Sequence, residues 1–161
     1  MMTRLILCRH SKPEPAETGK PDRERELTSR GRRDAEALGR KLADAGLTPD
    51  VVISSDSVRT RQTTELVCRA FSTAPDITFL PELYSSTAHA ILDTAATYAD
   101  QGRTILVVAH NPGTEEAVWQ LTGREIHMGT STAACFETAG QTAPANAPLS
   151  ELRLTDVLKA E

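Results

Sequence analysis

Short apolar runs alternate along this chain with longer amphipathic stretches, and no other feature limits the possible folds as strongly. Four of the runs have the length of a strand: residues 5–8, 51–54, 77–80 and 104–109. Between them, apolar residues recur at helical spacing, as in the stretch from Thr28, a good helix N-cap, to Gly46. This alternation is typical of a parallel sheet with helices on both faces. The sequence therefore predicts an α/β fold, a three-layer α/β/α sandwich with a mostly parallel central sheet.

The length of the chain and its last third complete this prediction. A chain of 161 residues is enough for one ordinary domain with a substantial core, so we expect a single domain over residues 1–161. The run at 104–109 is the most apolar, which predicts a central strand. Runs at 133–137 and 149–154 predict two late, outer strands that a connection over 141–148 joins.

Composition and charge exclude several classes of function. The net charge is −4 and the pI is about 5.6, whereas a general nucleic-acid binder usually has a basic face. No apolar stretch approaches the length of a membrane span, and the start lacks the layout of a signal peptide. We therefore expect a cytoplasmic protein without a nucleic-acid or membrane partner.

The three cysteines, Cys8, Cys68 and Cys135, are widely spaced and form no CxxC pair. None of them is followed six residues later by the arginine that a cysteine phosphatase needs. We therefore interpret them as buried hydrophobic side chains.

Charged or imidazole side chains stand at the ends of all four early runs. Arg9 and His10 end the first run, and Arg59 lies just after the second. Glu82 follows the third run, and His110 closes the fourth. Because an α/β protein builds its site at the carboxyl ends of its parallel strands, we expect these five side chains to share one site. Two histidines, two arginines and one carboxylate are the ingredients for moving a phosphoryl group through a histidine.

Each of these residue types suits one part of such a reaction. His10 can be the nucleophile, because histidine titrates near about 6.5 and its neutral form is available at cell pH. The planar guanidinium groups of Arg9 and Arg59 match phosphate oxygens and keep their charge. His110 can donate a further hydrogen bond to phosphate. Asn111 opens a helix whose free backbone N–H groups attract an anion.

The remaining candidates are open or are set aside. Glu82 could protonate the leaving group and then take a proton from water, although an ordinary loop carboxylate explains it equally well. His10 and His110 alone fall short of a usual zinc site, so we expect no metal and no cofactor. His89 and His127 are interpreted as unconnected to the chemistry.

Four motifs in this order resemble the histidine phosphatase superfamily, the phosphoglycerate-mutase-like fold. Residues 5–10 resemble the strand that delivers the family's Arg-His-Gly, and residues 27–31 resemble its Leu-Thr-x-x-Gly helix start. Residues 54–63 resemble its Ser-Ser-Pro-x-x-Arg-x-x-Gln-Thr, and residues 107–111 resemble its second histidine segment. The resemblance covers nearly the whole chain, roughly from residue 3 to residue 154.

The resemblance implies that His10 becomes phosphorylated and that no metal or organic cofactor takes part. It implies a phosphate pocket of Arg9, Arg59 and His110, beside which we expect Ser11 and Asn111 to contact substrate. Ser11 replaces the family's usual glycine, so its hydroxyl could touch phosphate or its backbone could be stiffer. Asp56 and Ser57 replace the usual proline-containing pair, which places a carboxylate near the rim of the pocket.

The number of residues between Glu82 and His110 favours one class of substrate over another. Only 27 residues lie between Glu82 and His110, too few for the helical lid that many members of the family insert there. A chain without a lid resembles the short SixA type, and its partner would be a protein that carries phosphohistidine. A sugar phosphate, a nucleotide or another small monoester is the alternative substrate. A non-catalytic phosphate-binding module is a third and weaker hypothesis.

Overall fold

The computed structural model describes residues 1–138 and 149–160, which form a six-stranded sheet with helices on both faces. The strands are β1 Arg4–Arg9, β2 Val51–Ser55, β3 Asp76–Leu80, β4 Thr104–Ala109, β5 Thr132–Thr138 and β6 Leu152–Lys159. The helices are α1 Ser29–Asp44, α2 Val58–Cys68, α3 Ala88–Thr97 and α4 Gly113–Thr122. Short 3₁₀ turns span Asp22–Glu24, Pro81–Ser85 and Leu149–Glu151. Within the described part of the chain, no helix is long and apolar enough to cross a membrane.

The sheet is mixed, with its parallel strands together on one side. The strand order is β3-β2-β4-β1-β5-β6, and β3, β2, β4 and β1 are parallel to one another. β5 runs antiparallel to β1, and β6 runs antiparallel to β5. The carboxyl ends of β1, β2 and β4 therefore lie side by side, and β4 is central as predicted.

Two predictions for the last strands need correction. β5 is not an outer strand, because it pairs with β1 on one side and β6 on the other. The last strand covers 152–159 and not 149–154, because residues 149–151 form a 3₁₀ turn. The predicted connection over 141–148 lies outside the described residues. The order of strands depends on long-range pairing, which the local apolar pattern does not record.

The two faces of the sheet have separate cores, which makes the molecule three-layered. Alternate residues of β1 point to opposite faces, so Leu5 and Leu7 belong to one core and Ile6 and Cys8 belong to the other. The Leu5 core is completed by α3 and α4, and the Ile6 core by α1 and α2. This arrangement confirms the predicted α/β/α sandwich.

Capping residues fix where the helices begin, and so where the site residues stand. Thr28 caps α1 as predicted, because its side chain accepts a hydrogen bond from the Gly31 amide. Ser57 caps α2 and accepts from the Thr60 amide, which puts Arg59 in the first turn of the helix.

Residues 81–109, all of them described, hold only the 3₁₀ turn, α3 and β4, so no helical lid is inserted there. The start of α4 packs closely on the turn that precedes α3. A Cβ on Gly113 would lie 2.6 Å from the carbonyl carbon of Ser86, so a larger residue would push the two segments apart. This contact keeps Ser86 beside the end of β4, where its hydroxyl donates to the His110 carbonyl at 2.6 Å.

Candidate active site

A pocket of about 750 Å³ opens at the carboxyl ends of the parallel strands. It gathers both predicted histidines and both predicted arginines, which come from β1, α2 and the end of β4. Its wall includes Arg9, His10, Arg59, His110, Asn111, Lys12, Glu14, Asp22, Arg25, Tyr84, Ser86 and Thr130. Side chains that are distant in the sequence therefore meet at one edge of the sheet, as the sequence predicts.

The structure fixes the tautomer of His10. His10 is 5% exposed, and its Nδ1 lies 2.7 Å from the Ser11 carbonyl oxygen. A carbonyl can only accept a hydrogen bond, so Nδ1 must carry the proton, and Nε2 of the neutral ring keeps its lone pair. Burial is the main reason that the pKa of His10 falls to about 3; the neighbouring His110, Arg59 and Arg9 also lower it, against the hydrogen bond to Ser11, which raises it. His10 is therefore neutral and nucleophilic at ordinary pH.

His110 lies beside the nucleophile and is also neutral. It is 4% exposed, and its ring centroid is 5.2 Å from that of His10. Its Nε2 lies 2.8 Å from the Ser55 hydroxyl, and its buried Nδ1 has no partner among the described residues. Burial, followed by the charge of Arg59, lowers its pKa to about 4. In the tautomer in which Nε2 accepts from the Ser55 hydroxyl, Nδ1 of His110 carries the proton and can donate to an anion.

The two arginines are held in different ways. Arg9 is half-buried, and its Nη1 donates to the Met128 carbonyl at 3.2 Å. Arg59 is 6% exposed, and it donates through Nη1 to the Asp22 carbonyl at 2.8 Å and through Nη2 to the Asp22 carboxylate at 3.0 Å. The Nε atoms of both arginines are buried and have no partner in the described chain. Each arginine therefore keeps donor capacity that an anion can use.

Two carboxylates line the pocket, Glu14 and Asp22, and the sequence analysis selected neither. Of these, Asp22 pairs with Arg59. It lies in the 3₁₀ turn of the long loop that joins β1 to α1. Its Oδ2 accepts from Arg59 and from the Tyr84 hydroxyl, and its Oδ1 accepts from Arg25 Nε at 2.9 Å. The hydrogen bond from Tyr84, followed by those from Arg25 and Arg59, lowers the pKa of Asp22 well below its ordinary range. Its carboxylate is therefore ionised beside Arg59.

Glu82 is not brought to the pocket. It lies exposed in the 3₁₀ turn after β3, where its carbonyl accepts from the Ser85 hydroxyl, and the turn contributes Tyr84 to the pocket wall. This placement corrects the expectation of a carboxylic acid near the leaving group at residue 82. A 3₁₀ turn rotates successive side chains by about a third of a circle, so residues 82 and 84 face different directions.

Ser11 and Asn111 have different placements. Ser11 is fully buried and is absent from the pocket wall; its hydroxyl accepts from Ser131 Oγ at 2.6 Å, and its amide donates to Thr63 at 3.0 Å. The backbone of Ser11 does not adopt a positive φ, so serine fits there without the conformational freedom of glycine. Asn111 does line the pocket, and its Nδ2 donates to the Met128 carbonyl at 2.8 Å. Ser11 thus braces the nucleophile's backbone, and Asn111 remains a candidate substrate contact.

The other rim residues point away from the two histidines. Arg61 lies over the ring of Phe79, with 4.1 Å between its Cζ and the ring centroid, and so faces away from Arg59. Asp56 pairs with Arg23 at 3.4 Å and is not part of the pocket wall. Over residues 1–138 and 149–160, no group of three or more His, Cys, Asp or Glu side chains is arranged to hold a metal ion.

Comparisons with known proteins agree with this geometry. Residues 5–84 match the histidine phosphatase superfamily (branch 1). SixA from Agrobacterium tumefaciens is 28% identical, with a TM-score of 0.85 over 98% of both chains. SixA from Nakamurella multipartitia is 28% identical, with a TM-score of 0.82 over 97% of this chain and 95% of that chain. An uncharacterized chloroplastic protein of Arabidopsis thaliana is 31% identical over 85% of this chain and 67% of its own length.

The matched segment includes His10 and Arg59, and the structural likeness extends through β4 to His110. The two SixA proteins are named as phosphohistidine phosphatases. Each of them superposes on this chain over nearly the full length of both proteins. The chain therefore belongs to the histidine phosphatase superfamily and is a phosphatase of the SixA type.

Proposed function

We propose that this protein removes phosphate from phosphohistidine on another protein, through transient phosphorylation of His10. The observation that carries the proposal is the geometry of His10. Its Nδ1–H is held by the Ser11 carbonyl, and its free Nε2 belongs to a pocket that two arginines also line. The SixA proteins that share this fold bear the name of the same activity.

In the first step, Nε2 of neutral His10 attacks phosphorus in line with the leaving group. The new N–P bond forms as the bond to the substrate's imidazole nitrogen breaks, and that nitrogen keeps the electron pair and takes a proton from solvent. Arg9 and Arg59 offset the charge on the phosphoryl oxygens, and Nδ1–H of His110 donates to one of them. The three buried nitrogens without partners, Arg9 Nε, Arg59 Nε and His110 Nδ1, are donors that a phosphoryl group can satisfy.

In the second step, water attacks the phosphoryl group on His10. The P–O bond forms as the His10 N–P bond breaks, and the imidazole regains its neutral form with Nε2 free. Asp22, the pocket carboxylate that pairs with Arg59, is ionised and can take the proton that the water loses. A phosphoryl dianion beside Asp22 is a like charge and raises its pKa, which makes it a better base when the phosphoenzyme is present.

The open shape of the pocket supports a protein substrate over a small one. No lid is inserted between residues 82 and 110, so nothing in that segment closes over a bound molecule. A phosphorylated side chain that projects from a folded partner can therefore reach His10.

The proposal that the protein acts in the cytoplasm remains a prediction from the sequence, which fractionation of cells would test.

The test is to trap the phosphoenzyme. The protein is mixed with a small phosphate monoester and, separately, with a phosphohistidine protein, and is quenched under alkaline conditions, where phosphohistidine survives. Mass spectrometry should detect phosphate on His10 in the wild type and in a His89→Ala control, which removes an exposed histidine that lines neither this pocket nor its neighbour. With His10→Ala, neither donor should give a labelled protein. Faster labelling from the phosphohistidine protein supports the proposal. Rapid turnover of a small sugar phosphate, with none of the phosphohistidine protein, would refute it.

A further inference from the structure

A second cleft adjoins the catalytic pocket, and we name it the side cleft. It has a volume of about 400 Å³, within the size range of ligand-binding pockets. Lys12 and Thr130 line both the catalytic pocket and the side cleft. The other residues that matter for its chemistry are Arg30, Asp34, His127 and Lys159. A substrate bound at His10 can therefore extend into the side cleft past Lys12 and Thr130.

Backbone hydrogen bonds tie the side cleft to the nucleophile. The Ala160 amide, next to Lys159, donates to the Ser131 carbonyl at 3.2 Å. The Ser131 amide in turn donates to the His10 carbonyl at 3.1 Å. On the opposite wall, the Lys12 carbonyl accepts from the Thr28 amide at 2.9 Å. The cleft is thus a fixed part of the same framework that positions His10.

The side cleft is cationic in a chain whose net charge is −4. Lys12 and Lys159 are exposed, and within the described part of the chain neither ammonium group has an ion-pair partner. Among the described residues of the wall, Asp34 is the one acidic residue, and it pairs with Arg30 at 3.6 Å. The charges of Lys12 and Lys159 are therefore available to a negatively charged ligand.

We propose that the side cleft binds an acidic stretch of the substrate polypeptide that flanks the phosphorylated residue. The proposal rests on the proposed function, because it takes a polypeptide to be the substrate. A small molecule with a single phosphate group places that group at His10 and has no second anionic group for Lys159. A polypeptide continues past the phosphorylated residue, and its carboxylates can pair with Lys12 and Lys159.

The experiment compares two phosphohistidine peptides that differ only in having glutamate or glutamine at the flanking positions. Lys159→Glu is the test variant, because Lys159 does not line the catalytic pocket. Arg153→Glu is the matched control: it lies exposed on the same strand, changes the net charge equally and is not part of either cleft. Thermal unfolding checks that both variants fold.

The wild type should prefer the glutamate peptide, and the preference should shrink as salt screens the charges. Lys159→Glu should raise the KM for the glutamate peptide by about three- to tenfold, as expected for reversing one exposed charge contact. It should leave the glutamine peptide and p-nitrophenyl phosphate unchanged. Equal effects of Lys159→Glu and Arg153→Glu, or no preference in the wild type, would overturn the proposal.

A competition assay separates this proposal from the proposed function. The glutamate peptide, whether or not its phosphate is removed, should inhibit hydrolysis of p-nitrophenyl phosphate more strongly than the glutamine peptide, and Lys159→Glu should abolish the difference. If neither peptide is dephosphorylated but the difference in inhibition holds, the substrate assignment fails and the side cleft stands. If both peptides are dephosphorylated but inhibit equally, the side cleft fails and the substrate assignment stands.

Discussion

Replacing Arg59 by alanine tests the arrangement of the phosphate pocket most directly. Arg59 is 6% exposed, and its buried Nε has no partner among the described residues. Losing a donor that stabilises developing charge typically lowers kcat by about 100- to 1000-fold, or about 2.7–4 kcal/mol in the transition state. Because Arg59 brings both charge and a fork of donors to one phosphoryl group, we expect Arg59→Ala to reach this range.

The loss of stability should be much smaller than the loss of activity. The partner of Arg59 is Asp22, whose side chain is 49% exposed and still accepts from Arg25 and Tyr84 when Arg59 is removed. A pair with one solvated member contributes about 0–1 kcal/mol, so thermal unfolding should change little. Arg59→Lys, which keeps the charge but loses the fork, should fall between the wild type and Arg59→Ala.

Arg61→Ala is the matched control, since it removes an arginine two residues later on the same helix. It loses the contact of Arg61 with the Phe79 ring, worth about 0.5–1 kcal/mol at an exposed site, and should leave kcat unchanged. The measurement is kcat and KM with p-nitrophenyl phosphate, together with unfolding curves for each variant. Equal losses of kcat in Arg59→Ala and Arg61→Ala would refute the assignment of the phosphate ligands.

Four further predictions follow from the geometry. In NMR titrations of the ligand-free protein, His10 should stay neutral, with its proton on Nδ1, down to about pH 4, because burial is the main cause that lowers its pKa to about 3. A His10 ring that titrates near pH 6.5 would contradict this. The unfolded chain binds this proton at higher pH than the folded one, so stability should fall as pH drops from about 6.5 towards 3. In steady-state assays, Asp22→Asn should lower kcat at least about tenfold and tighten inhibition by inorganic phosphate, whereas Glu82→Gln should do neither. If Glu82 is the proton carrier, Glu82→Gln should show these effects and Asp22→Asn should not. Gly39→Ala should destabilise the fold by about 1–3 kcal/mol in denaturant unfolding, because its Cβ would lie 2.3 Å from the Val67 carbonyl oxygen; an unchanged midpoint would contradict that packing.

The sequence was sufficient to predict the parallel part of the sheet and to bring four of the candidate residues together, for one physical reason. The carboxyl ends of parallel strands meet at one edge, so polar residues that directly follow apolar runs come together whatever the loops do. Arg9 is the last residue of β1, and His10 directly follows it. His110 directly follows β4, and Arg59 lies in the first turn of α2. Arg61, two residues later on α2, turns away from the strand ends and lies over the Phe79 ring.

The hydroxyl of Ser11 and the carboxylate of Asp22 were not predictable on the same basis. Ser11 follows β1 as closely as His10 does, yet its hydroxyl turns to Ser131 from a loop more than a hundred residues later. Asp22 lies in a proline- and charge-rich loop that has no periodicity to place it. Its position depends on hydrogen bonds from Arg25, Arg59 and Tyr84, three residues whose proximity only the folded chain creates.

The contact between Asp22 and Arg59 bears on turnover as well as on binding. Two of the guanidinium nitrogens of Arg59 already donate to Asp22, so an incoming phosphate gains less from this arginine than it would from an unpaired one. Catalysis benefits only from interactions that are stronger in the transition state than in the bound states, and tight binding of the product would slow its release. An ionised Asp22 beside Arg59 weakens the hold on inorganic phosphate while leaving Arg59 Nε, Arg9 and His110 for the phosphoryl group in transfer. Neutralising Asp22 should therefore retain phosphate in the pocket, which is why tighter product inhibition, and not the loss of rate alone, distinguishes this role from simple support of the loop.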